Sequence, residues 1–288
     1  MKLEDLKDYK LVWSDEFDGD SLDTTKWNLS KTDKEKKDDE GNTAVVFKDE
    51  DKLIQVKDGK LVLDTYYDEE NKLYVSHKSV QTKEKMSFKY GYLEVRARIP
   101  FTSGTTAALW AHGKDAIGSD KNAPYYSRMH VFGHKGFFEW FSNNITKVYD
   151  NYDENHPFYQ EGKSNEDDSK QAQCLGLNTP DSYHEQYVTE VMEEFKTYGF
   201  LWTPEAVIFT VDGHIVTRMK LTQDFLRPSG VEGFRKPQYL EFETNFFITE
   251  HAKGNHITPE RASEKIPFEI DYVRLYQKQG EGELNIGE

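Results

Sequence analysis

The sequence predicts an all-β fold, two antiparallel sheets packed face to face, in one domain over residues 1–288. Three observations predict it. Short runs of β-branched and aromatic residues alternate with polar ones at period two. Asp-Gly pairs, the signal of a two-residue hairpin, separate such runs at Asp58-Gly59 and Asp212-Gly213. Helical periodicity is nearly missing, with Pro259 to Glu264 fitting one short turn. A length of 288 residues is ordinary for one β domain and long enough to bury a substantial core.

The strands read in order as Val45-Val46-Phe47, Leu53 to Val56 and Leu61 to Tyr66, then Tyr92 to Ile99, which alternates cleanly. Ala206 to Val211 and a partner through Ile215 and Thr217 flank the second Asp-Gly turn. Tyr239 to Phe247 alternates strictly, setting Glu241, Glu243 and Asn245 on one face and Phe242 and Phe246 on the other. Phe268 to Tyr276 is the last strand, with Ile270, Tyr272 and Arg274 expected to share a face. Residues 150–172, dominated by Asp, Glu, Asn, Ser, Lys and Gln, read as an exposed loop.

Charge and cysteine content exclude several functions. Lys and Arg number 37 against 52 Asp and Glu, a net charge of −15 that repels nucleic acid and anionic membranes. The Lys-rich stretch from Lys31 to Lys37 is interleaved with acids and makes no basic patch. No apolar run has the length of a membrane span, so no membrane partner is expected. The one cysteine, Cys174, excludes an internal disulfide and reads as a small residue in a polar loop. His130 and His134 are spaced i, i+4, but on a strand-and-turn pattern without an acidic partner, which speaks against zinc.

Five blocks in order resemble glycoside hydrolase family 16, the laminarinase, lichenase and agarase group. They are Leu11 to Gly19 with Lys26-Trp27, Lys89 to Pro100, Ala107 to Trp110, Tyr198 to Gly213, and Ile270 to Tyr276. The resemblance implies a jelly-roll sandwich with a concave glycan cleft and a polysaccharide or oligosaccharide partner. It also implies a secreted or cell-surface protein whose leader is absent, since Met1 to Lys7 has no apolar segment. A monomer is expected. No cofactor is required, although the resemblance implies a structural calcium at Glu16 and Asp271, carboxylates suited to a hard cation.

The family's catalytic strand carries Glu-x-Asp-x-Glu, or the same with one bulged residue before the last Glu. Alternate residues share a face, so the carboxylates line up, and a retaining mechanism sets the two working ones about 5–5.5 Å apart. Over Gly136 to Asn144 the resemblance puts Glu139 in the nucleophile position, Phe141 in place of the Asp, and Asn143 or Asn144 in place of the acid. An amide cannot protonate a leaving oxygen, so hydrolysis at the usual site is expected to be lost. The alternative is an active retaining endo-β-glycosidase, with Glu139 as nucleophile and Glu243 as a relocated acid/base. A third reading is a structural or protein-binding domain whose cleft is filled by Phe137, Phe138, Trp140 and Phe141.

For glycan binding, Trp110 and Trp202 are candidates to stack on sugar rings, core packing being the competing role. Glu241, Glu243, Asn245, Asn143 and Asn144 would hydrogen-bond hydroxyls, and Tyr125 and Arg128 would line the cleft. Arg128 suits an acidic sugar or a sulfate ester. Lys196 stands where many members open a block with His.

Overall fold

The computed structural model describes the backbone of residues 6–31, 35–100, 104–113, 127–135, 144–148, 171–175, 194–221, 233–246, 248, 257–264 and 267–287. Within these, the side chains of 127, 128, 130, 133–135, 144–148, 171–175, 216–220, 233 and 264 are not described. Among the described residues the strands form two large sheets and one small one.

The first sheet has eight strands. Its path runs His214–Lys220, Ala206–Val211, Lys196–Trp202, Gly91–Arg98, Phe268–Lys278, Lys60–Leu63, Ile54–Lys57, and Tyr9–Asp15 also pairs with Phe268–Lys278. The second has nine. Its path runs Gln171–Leu175, Asn144–Val148, Ser127–Lys135, Thr105–Gly113, Gln238–Phe246, Met86–Lys89, Glu283–Ile286, with Val80–Gln81 joining Gln238–Phe246 to Asn28–Leu29. A four-stranded sheet, Glu35–Lys37, Thr43–Lys48, Leu73–His77, Thr65–Asp68, contains a parallel pair, Thr43–Lys48 with Leu73–His77.

Period-two patterning explains the layers. Leu93, Val95 and Ala97 of the first sheet meet Ala107, Leu109, Ala111, Leu240 and Phe242 of the second, each 0% exposed, in one continuous core. Removing such side chains from water is worth about 1.5–3 kcal/mol each. The residues between them in sequence therefore face outward. At the Asp-Gly turns, Asp58 and Gly59 have φ of 53° and 68°, and Asp212 and Gly213 have 48° and 81°, the left-handed pair that a two-residue hairpin needs.

The N-terminal block packs the rim of this core. Asp15 accepts Trp27 Nε1–H at 2.7 Å and the Phe17 amide at 3.1 Å, which satisfies a carboxylate that is 6% exposed. Trp27 in turn packs on Trp13, Phe17 and Phe242.

Three expectations need correction. Ile270 does not share a face with Tyr272 and Arg274, because a β-bulge at Asp271 opposite Arg96 and Ala97 shifts the alternation by one. Ile270 is in the core, while Arg274 reaches Glu16 outside it. Leu61 to Tyr66 is two strands rather than one, broken at Asp64, with Lys60–Leu63 in the first sheet and Thr65–Asp68 in the small one. Cys174 lies in a strand, paired with Thr146, and Gln171 and Ala172 open that strand; residues 150–170 lie outside the described residues. Pro259–Glu264 is the expected short helix, packed with Ile257 and Ala262 against Phe246 and Val45.

Candidate functional site

The outer face of the nine-stranded sheet gathers the sugar-binding candidates that are described. On Thr105–Gly113 the core takes Ala107, Leu109 and Ala111, which leaves Thr106, Ala108, Trp110 and His112 facing outward. On Gln238–Phe246, Leu240 and Phe242 face the core and Tyr239, Glu241, Glu243 and Asn245 face outward. The register pairs Thr106 with Asn245, Ala108 with Glu243, Trp110 with Glu241 and His112 with Tyr239.

Side-chain contacts tie these rows together. Trp110 Nε1–H donates to Glu243 Oε1 at 2.7 Å, reaching one row diagonally. His112 Nε2 stands 3.2 Å from Glu241 Oε2, and the imidazole stacks on the Tyr239 ring at 5.4 Å between centroids and 25° between planes. Trp110 and His112 are themselves 6.1 Å apart between ring centroids. Lys83 Nζ lies 5.6 Å from the Tyr239 ring centroid, and its backbone carbonyl accepts from the Asn28 amide. Ring faces and carboxylate acceptors thus occupy one surface, the combination that a sugar's apolar face and hydroxyl rim require.

The next strand, Ser127–Lys135, continues the rows. Arg128 pairs with His112, His130 with Trp110, Gly133 with Ala108 and Lys135 with Thr106. A register shift between Leu109 and Trp110 leaves Val131 as the extra residue of a bulge, and Met129 and Phe132 belong to the core. Backbone register thus sets Arg128, His130, Gly133 and Lys135 in the rows of His112, Trp110, Ala108 and Thr106. Beyond them Asn144 pairs with His130 and Thr146 with Arg128. One transverse row runs Asn28, Gln81, Glu241, Trp110, His130, Asn144. At about 4.8 Å per strand it spans about 24 Å.

Other candidates fall elsewhere. Trp202 is 0% exposed, with Nε1–H donating to Phe234 O at 3.1 Å and its ring edge-on to Phe88, so its role is core packing. Glu139, Asn143, Tyr125, Phe137, Phe138, Trp140 and Phe141 lie outside the described residues. Lys196 opens its strand in ion pairs with Asp212 at 3.4 Å and Glu194 at 3.6 Å. His112 and Tyr239, now central, were not singled out from sequence. The alternation Ala108, Trp110, His112 was the signal that would have found the first of them.

On the opposite side of the molecule, Glu16 accepts Arg274 Nε–H at 3.0 Å and an Nη–H at 2.7 Å. That bidentate hydrogen bond, with the guanidinium's charge, holds the Glu16 carboxyl below its usual range despite some desolvation. Asp271 is paired with Arg96. Each carboxylate already holds a guanidinium, and a cation at either would sit beside a fixed positive charge. This pair does not fit calcium. Among the described residues no group of three or more His, Cys, Asp or Glu side chains could hold a metal ion.

A family model described as "Beta-porphyranase A-D, GH16 domain" matches residues 10–278. The chain belongs to that family, within glycoside hydrolase family 16. Curated relatives include a glucan endo-1,3-beta-glucosidase A1 from Niallia circulans, 23% identical over 93% of this chain, and a beta-glucanase from Rhodothermus marinus, 26% identical over 73% of it. The chain spans 38% of the length of the first and 65% of the second. A solved non-specific endo-beta-1,3(4)-glucanase from family GH16 superimposes with a TM-score of 0.66 at 21% identity, covering 94% of this chain and 92% of that one. The family 16 jelly roll anticipated from the motif blocks is the observed fold.

Proposed function

We propose that this family 16 domain recognises a β-linked polysaccharide on the outer face of its nine-stranded sheet and does not hydrolyse it at the family's usual site. One observation carries the reading. The strand beside that of Trp110, Ser127–Lys135, reads Ser-Arg-Met-His-Val-Phe-Gly-His-Lys and contains neither Asp nor Glu. Its positions in register with His112, Trp110 and Ala108, namely Arg128, His130 and Gly133 with one bulged residue, repeat the spacing of the family's Glu-x-Asp-x-x-Glu. Alignment by register thus favours this strand over the Glu139 segment as the counterpart of the catalytic one. Neither arginine, imidazole nor glycine there replaces a carboxylate nucleophile.

Binding uses what remains. Trp110 offers a ring face, Glu243 and Asn245 accept hydroxyl hydrogens, Tyr239 and Glu241, 5% and 8% exposed, hold His112 in place, and the row from Asn28 to Asn144 sets the path. A β-galactan is favoured by the family description, which names a β-porphyranase, and a β-glucan by the curated relatives. Glu241 and Glu243 are two residues apart on one strand, about 6.6 Å by strand rise, and each is engaged by a ring donor. That arrangement supports orientation of hydroxyls better than a nucleophile and acid pair. The reading takes the chain as a monomer. It is tested by affinity electrophoresis and calorimetry on agar-type galactan, laminarin, mixed-linkage glucan and carrageenan. Retardation by at least one, lost in Trp110→Ala, is expected; no binding to any of them would overturn it.

A further inference from the structure

We propose that the Asp18–Gly19 bond is a site of spontaneous isoaspartate formation in the folded chain, and that the fold withholds the same chemistry from Asp58–Gly59 and Asp212–Gly213. Residue order treats the three Asp-Gly pairs alike. In each, the glycine amide nitrogen is unhindered by a side chain and can attack the aspartate carboxyl carbon. Attack forms an N–Cγ bond, and the amide proton leaves with the carboxyl's hydroxyl as water, giving a five-membered succinimide. Water then reopens the ring. Cleavage of the N–Cγ bond restores aspartate. Cleavage of the bond between that nitrogen and the main-chain carbonyl carbon routes the backbone through Cγ, as isoaspartate. One water is lost and one regained, so no co-reactant is needed.

Backbone geometry separates the pairs. Ring closure brings Cβ and the following nitrogen to the same side of the Cα–C bond. Asp58 and Asp212 have φ of 53° and 48°, in the left-handed region, whose ψ of about +47° sets those two atoms nearly anti. Paired residues hold both there, Lys57 with Lys60 around the first turn and Val211 with His214 around the second. Asp212 is held a second way: its carboxylate accepts the Thr197 amide at 2.9 Å and stands 3.4 Å from Lys196 Nζ. Asp18 is different. It and Gly19 are exposed, lie between the strands Tyr9–Asp15 and Asn28–Leu29, and neither has a left-handed φ. Among the described residues nothing hydrogen-bonds the Asp18 carboxylate or the Gly19 amide. Rotation about Cα–C then closes the ring without breaking a strand pair. The product's extra backbone methylene falls beside Phe17, 3% exposed, and Glu16, the partner of Arg274.

The test ages the folded protein in warm, mildly acidic to neutral buffer, beside the same chain in denaturant. Isoaspartate is counted by methyl transfer from S-adenosylmethionine with an isoaspartate O-methyltransferase, and placed by peptide mapping. In denaturant all three pairs are expected to convert. In the folded chain conversion is expected at Asp18, trailing far behind at Asp58 and Asp212. Asp18→Glu, whose longer side chain cannot close the five-membered ring, is expected to remove most of the methyl uptake by folded protein. Asp58→Glu is expected to leave that uptake unchanged. Folded protein that converts at Asp58 or Asp212 as fast as at Asp18 overturns the inference. So does folded protein that stays unconverted at Asp18 while the denatured chain converts there.

Discussion

The Trp110 indole donates to Glu243 at 2.7 Å across two paired strands, diagonal to its register partner Glu241. The contact ties the indole edge on the outer face to one carboxylate oxygen of Glu243. A sugar then meets a preoriented ring and acceptor. Trp110→Ala is expected to lower affinity for the bound polysaccharide about tenfold, the scale of one well-placed aromatic contact, with little loss of melting temperature. Calorimetry with the tightest ligand of the panel measures it.

Glu243→Gln keeps an oxygen that can accept the indole hydrogen bond but removes the charge. Its binding is expected to fall by less than that of Trp110→Ala, about two- to fivefold, because hydroxyl hydrogens still find an amide oxygen. A loss greater than that of the tryptophan variant would assign Glu243 a charge-dependent role that the present account does not give it.

Phe242 is fully buried against Trp27 and Phe268, and the same strand presents Glu241 and Glu243 on its other side. Phe242→Ala is expected to cost about 3–5 kcal/mol. Denaturant unfolding measures the loss. A variant that keeps full stability would mean the sandwich core does not run through this strand.

Glu16 and Arg274 predict both a pH dependence and an indifference to calcium. The Glu16 carboxyl lies below its ordinary 4.5 when folded, so the pair's contribution is complete above that value and is lost as pH falls through the lowered one. The pair is partly exposed, which keeps its worth to about 0.5–1 kcal/mol. Glu16→Gln should therefore melt about 2 °C below wild type at pH 7, with the gap closing under acid conditions. Added calcium or a chelator is expected to leave the wild-type melting temperature unchanged. A calcium-dependent rise that disappears in Glu16→Gln would show a cation where the structure has a guanidinium.

Much of this was readable from residue order. Period-two alternation gives Glu241, Glu243 and Asn245 their common face, and the two Asp-Gly turns their hairpins, because both are local properties of the chain. The bulge at Asp271 was not readable: it exists only relative to the partner residues Arg96 and Ala97, and it alone reverses the faces of Tyr272 and Arg274. Trp202 shows the same limit. Its sequence block looks like that of a cleft residue, yet packing with Phe88 and Tyr90 buries it. The pairing of Ser127–Lys135 with the Trp110 strand is likewise a long-range fact. Without it the aromatic segment around Glu139, the nearest acid downstream, attracts the motif.

The central claim is recognition without hydrolysis, and product release tests it most directly. A polysaccharide that the chain binds is incubated with stoichiometric protein, and new reducing ends are counted over a day against a buffer control. The account predicts no increase over the control while the polymer stays bound. Reducing ends that rise with time in wild type, and stop rising in Glu139→Gln or Glu243→Gln, would contradict it.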